Sequence, residues 1–187
     1  MPECDPKHPG IVPCIEHLPA VQLPATTLRL PELAALGGES IRATMMPSLG
    51  GRAELYQVTF DPQGRASLLA VWLAGHPYSG WREIGREEVV LTPREYRQLA
   101  RRVDTALART ETPGGDEACL DGPGMRTERR RDGRTANYEA WGCGNEPGSV
   151  AFGVVAAFAC RQIGRETATI SIRRLCSYRI RSDRPAD

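Results

Sequence analysis

Residues 40–73 read SIRATMMPSLGGRAELYQVTFDPQGRASLLAVWL, and the punctuation of this stretch decides the fold class. Two turn signals, Pro47–Gly51 and Asp61-Pro62-Gln63-Gly64, separate three strand-like runs, Ile41–Met46, Glu54–Phe60 and Ala66–Leu73. Apolar and β-branched runs parted by Pro, Gly and Asp clusters are the pattern of an antiparallel meander. In the middle run Leu55, Val58 and Phe60 alternate imperfectly, whereas Leu68–Leu73 is apolar on both faces. The third run is therefore expected to be a central strand covered on both sides.

Toward the C-terminus the pattern predicts a Gly75–Gly80 loop, a strand near Val89–Leu91 and then a helix. Thr92-Pro93-Arg94-Glu95 forms a capping box with proline at the first helical position, because Thr92 and Glu95 can each satisfy the other's free backbone N–H. Tyr96, Leu99, Val103, Ala106 and Leu107 then recur at helical spacing. Arg94, Arg97, Arg101 and Asp104 fall on the opposite face and read as solvated.

Farther on, Asp132-Gly133 between Arg126–Arg131 and Arg134–Trp141 signals a tight hairpin. A second helix is expected over Ser149–Ile163, with Gly164 placed to end it. Its Val150–Cys160 portion has no charged side chain and should be buried. Thr169–Ile180 reads as a final strand with a bulge at Arg174-Leu175.

Toward the N-terminus, seven prolines within residues 1–31 deny regular helix to the start of the chain. Residues 1–25 are read as an extended proline-rich arm that packs through its apolar residues, and residues 26–187 as one domain. A Thr26–Leu30 strand and a Pro31–Leu36 helical turn, stopped by Gly37-Gly38, should follow the arm. The expected class is α+β: an antiparallel sheet of meander, hairpin and C-terminal strand, packed with two main helices.

Composition narrows the function classes. A formal net charge of +1 lacks the basic excess usual in nucleic-acid binders. The charge is uneven, with 12 basic and 16 acidic residues in 1–123 against 12 and 7 in 124–187. No apolar run reaches the ~18 residues of a membrane-spanning helix.

The six cysteines, at 4, 14, 119, 143, 160 and 176, are an even set at a density unusual for a reduced cytosolic domain. The reading is a periplasmic or secreted protein whose leader is absent from this chain, with a cytoplasmic protein as the alternative. Cys119 and Cys143 flank the base of the Asp132-Gly133 hairpin. Cys160 lies in the buried helix and Cys176 on the apolar face of the strand that returns after it. Elimination leaves Cys4–Cys14, and the three pairs form one disulfide set. A competing reading takes Cys4, His8, Cys14 and His17 as zinc ligands, since two thiolates and two imidazoles satisfy tetrahedral zinc.

Nucleophile elbows, phosphate loops, dinucleotide fingerprints and zincin motifs are absent from the sequence. Cys143, with His76 as its base, is the remaining catalytic candidate, beside an unrecognised carboxylate site. The loop Gly75–Trp81 gathers His76, Tyr78 and Trp81, residue types that anchor partners at low entropic cost. Arg129 and Arg131 of the hairpin could add charge for a protein partner or an acidic ligand. The expectation is a disulfide-stabilised binding or inhibitor-like module with no catalytic chemistry and no cofactor.

Overall fold

The computed structural model describes residues 24–108, 123–141, 146–166 and 176. Six strands form one antiparallel sheet: β1 (Glu39–Met46), β2 (Gly51–Phe60), β3 (Ala66–His76), β4 (Gly80–Leu91), β5 (Gly124–Arg131) and β6 (Arg134–Trp141). Their order is β4-β3-β2-β1-β5-β6. The meander supplies one half of the sheet, and the second hairpin returns to pair β5 with β1 on the far side. Alongside the sheet, among the described residues, lie the helices α1 (Pro24–Thr27), α2 (Pro93–Leu107) and α3 (Pro147–Glu166).

Strand alternation sends successive side chains to opposite faces, and here the two faces have different fates. Ile41, Ala43, Tyr56, Val58, Leu68, Ala70 and Trp72 point into the main core, where they meet Leu99 and Val103 of α2 and Phe152, Val155 and Ala159 of α3. The α3 residues Phe152 and Phe158 are both buried, as the uncharged stretch requires. On the other face no long helix packs among the described residues. Residues 24–36, comprising α1 and a 3₁₀ turn at Leu33–Ala35, form a strap there instead. Leu28 joins a small cluster with Ala53, Val71, Leu73 and Trp81, and Leu33 is buried near the β1–β5–β6 side.

Local chemistry accounts for the best-defined ends. Thr92 Oγ1 accepts from the Glu95 N–H at 3.2 Å, and Glu95 Oε2 accepts from the Thr92 N–H at 2.9 Å, so the capping box is complete. At the β5–β6 turn Asp132 and Gly133 have φ of 51° and 75°. That pair of left-handed residues matches a hairpin twist, and Asn, Asp and Gly adopt it at least cost.

Several expectations need correction. Thr26–Leu30 is not a strand: α1 occupies Pro24–Thr27, and the Leu28 N–H closes a helical hydrogen bond to Pro24 O at 3.0 Å. β3, by contrast, is as expected: it is paired on both sides, and Leu68, Ala70 and Trp72 are buried on one face and Val71 and Leu73 on the other. The Gly75–Gly80 loop is a tight hairpin, because β3 runs to His76, which pairs with Gly80. The strand near Val89–Leu91 is the end of the 12-residue β4, whose charged run Arg82–Glu88 hides its strand character in sequence. A register shift between Trp72 and Leu73 marks a bulge in this pairing. α3 continues through Gly164 to Glu166, since a helical glycine costs only about 1 kcal/mol when packing holds the flanking turns. The Thr169–Ile180 strand lies outside the described residues except at Cys176, which is helical and not extended.

Candidate functional site

A cleft of about 540 Å³ opens on the strap face, floored by β1, β5 and β6 and walled by the strap. Arg42 projects to this face because its neighbours Ile41 and Ala43 are taken by the main core. Pairing of β1 with β5 sets Arg42 opposite Glu128 and Thr44 opposite Arg126, and β5–β6 pairing sets Arg126 opposite Glu139. One stripe of the sheet thus collects two guanidiniums and two carboxylates.

The two arginines are held differently. Arg42 is buried, and it donates from Nε and Nη2 to Gln57 Oε1 at 3.0 and 2.7 Å and from Nη2 to the Pro31 carbonyl. Its Nη1 lies 3.6 Å from Glu128 Oε2. Burial lowers its pKa below the ordinary arginine value, with Glu128 opposing the shift. Arg42 is thereby the rivet that ties the strap to the sheet. Arg126 has looser company: Nη2 is 3.5 Å from Glu128 Oε1, Nη1 is 3.8 Å from Glu139 Oε1, and its buried Nε has no hydrogen-bond partner. A buried donor left unpaired costs about 1–3 kcal/mol, a cost that an acceptor entering the cleft and realigning the guanidinium could offset. Leu30, Leu33 and Met46 give the cleft an apolar side, and Glu32 adds a further carboxylate from the strap.

The residues that the sequence singles out lie elsewhere. His76 and Tyr78 do meet, with ring centroids 5.4 Å apart and the Tyr78 N–H donating to His76 Nδ1 at 3.2 Å. Trp81 does not join them in a surface patch: it is 8% exposed and packs in the small strap-face cluster. Arg129 is also buried, on the helix face. It donates from Nε to Asp104 at 2.9 Å and from Nη2 to Glu39 at 2.8 Å, and Nη1 reaches the Tyr96 hydroxyl at 3.3 Å. Burial works against its charge, but these carboxylates outweigh that effect and hold its pKa above the ordinary value. Burial also raises the pKa of Tyr96. Arg131 is exposed on the same face as Arg129 and reaches Asp104 and Asp132 at 3.4 and 3.3 Å.

The aromatic turn and the arginine hairpin cannot form one surface. The β3–β4 turn lies at the sheet end that carries Gly51 of β2, Met46 of β1 and Gly124 of β5. Arg129–Arg131 lies at the other end, beside Ser40 and Ile41. The sequence could not show this, because the register of β1 on β5 is set by strands far apart in the chain. Arg42 was nonetheless a visible signal: an arginine between Ile41 and Ala43, in a strand run that continues to Met45 and Met46, implies a buried, partnered charge.

Cys160 and Cys176 are disulfide-bonded, with Cα atoms 5.3 Å apart. Cys4, Cys14, Cys119 and Cys143 lie outside the described residues, as do His8 and His17. The zinc set, the other two disulfides and the Cys143–His76 pair therefore have no geometry to set beside them. Among the described residues no three His, Cys, Asp or Glu side chains group as a metal ion would require. No described helix is long and apolar enough to cross a membrane. No protein-family model matches this sequence, and no curated protein matches it.

Proposed function

We propose that this chain is a binding module of an oxidising compartment, periplasmic or secreted, and that it holds a small charged ligand in the strap-face cleft without transforming it. The observation that carries the reading is Arg126, a guanidinium in a cleft of ligand size whose Nε lacks a partner. Small-molecule sites of ~300–1,000 Å³ typically combine apolar walls with a few convergent polar groups, which is the composition found here. The Cys160–Cys176 bond supports the compartment, because such bonds persist where thiols are not kept reduced.

The test is a thermal-shift screen of pooled charged metabolites on wild-type protein and on Arg126→Gln. Compounds that raise the melting temperature of the wild type should lose that effect in the variant. Equal responses in both proteins would move the site away from the cleft.

A further inference from the structure

The charges lining the cleft are unbalanced once its internal pairs are removed. Arg42 is consumed by Gln57, the Pro31 carbonyl and Glu128, and Glu128 is shared between Arg42 and Arg126. What remains for a ligand is Arg126, whose side chain keeps 31% of its surface exposed, and two exposed carboxylates, Glu32 on the strap and Glu139 on β6. Glu139 is 73% exposed and only 3.8 Å from Arg126, so its pairing to that arginine is weak and solvent-screened. A ligand bearing only negative charge would enter against two carboxylates. One bearing only positive charge would meet Arg126.

We infer that the cleft takes a short peptide with free ends and apolar side chains, its carboxylate on Arg126 and its ammonium on Glu139 or Glu32. This rests on the reading of the cleft as the ligand site and names the class of ligand. Arginine is suited to the carboxylate because its planar fork can offer two parallel N–H donors. Leu30 and Met46, backed by the buried Leu33, receive the side chains. A volume of about 540 Å³ exceeds what one free amino acid fills, which favours a peptide of two or three residues.

Isothermal titration of the full chain with Leu-Leu, N-acetyl-Leu-Leu and Leu-Leu amide tests the class, since the three share their side chains and each cap removes the charge of one end. Leu-Leu should bind, and capping either end should weaken binding by about tenfold or more. Arg126→Gln should erase the preference for the free carboxylate over the amide, whereas Arg126→Lys should retain part of it. Glu139→Gln or Glu32→Gln should erase the preference for the free amine. Circular dichroism confirms that each variant is folded.

Equal binding of N-acetyl-Leu-Leu and Leu-Leu would overturn the zwitterion while leaving the cleft in place. Failure of all three peptides to bind the wild type overturns the peptide class, and the metabolite screen on Arg126→Gln then still decides the cleft. Preferences that survive in every variant would place the peptide elsewhere.

Discussion

Arg126 and Arg129 stand three residues apart on β5 and meet opposite fates. Arg129 turns to the helix face, where Asp104 of α2, Glu39 of β1 and the Tyr96 hydroxyl converge on it. Arg126 turns to the strap face, where its nearest carboxylate contacts are 3.5 and 3.8 Å away and its Nε has no partner. The difference separates a charge that holds the fold together from one available for an incoming group. It also shows why arginine count is a poor guide to a binding surface: Arg129 was a binding candidate, yet its hydrogen bonds are turned inward.

The largest effect that tests this contrast is on stability. Arg129→Met leaves Glu39 without its cation and Asp104 with only the exposed Arg131 at 3.4 Å, and both carboxylate side chains keep about a third of their surface in water. The loss should therefore sit near the low end for breaking a buried ion pair, about 3 kcal/mol in urea unfolding. A loss under about 1 kcal/mol would mean that these carboxylates are satisfied by solvent and that the network is not a staple.

A smaller effect, on the same face, comes from the cap that starts α2. Thr92→Ala should cost about 1 kcal/mol, measured by thermal or urea unfolding. The Glu95 carboxylate is held below its ordinary pKa first by the Thr92 backbone N–H, then by the Thr92 hydroxyl. A depressed carboxylate contributes stability that is present above its unfolded pKa of about 4.3 and is lost as pH falls through the lower folded value. The wild type should lose this increment below about pH 4, and Glu95→Gln should show a flatter profile over that window. Parallel profiles would remove the capping carboxylate from the acid response.

The smallest effect is expected at Arg126 itself. Arg126→Gln should leave stability unchanged or slightly raised, in contrast to Arg129→Met, because it removes a buried donor that has no partner and breaks no close ion pair. A loss comparable to that of Arg129 would make Arg126 structural and weaken its assignment to a ligand.

Much of the architecture was legible along the chain. The three meander runs, the α2 cap and the Asp132-Gly133 turn each announce themselves through chemistry confined to a few residues, where proline, glycine or a side-chain cap fixes the backbone. The Cys160–Cys176 bond was also within reach, although the helical state of Cys176 was not. Only the Val89–Leu91 end of β4 is legible in the sequence, because Arg82–Glu88 carries charge on both faces, as edge strands often do to discourage further pairing.

Sequence alone thus determined the class of fold, the positions of its turns and the start of its main helix, since each follows from local backbone preference. Tertiary structure decided which face each arginine serves. Glu39 and Arg129 meet across 90 residues, and Arg42 finds its rivet points at Pro31, Gln57 and Glu128 only when β1 lies between β2 and β5. Period-two alternation says that neighbours on a strand diverge, but which face is buried and what waits there is set by the pairing of distant strands.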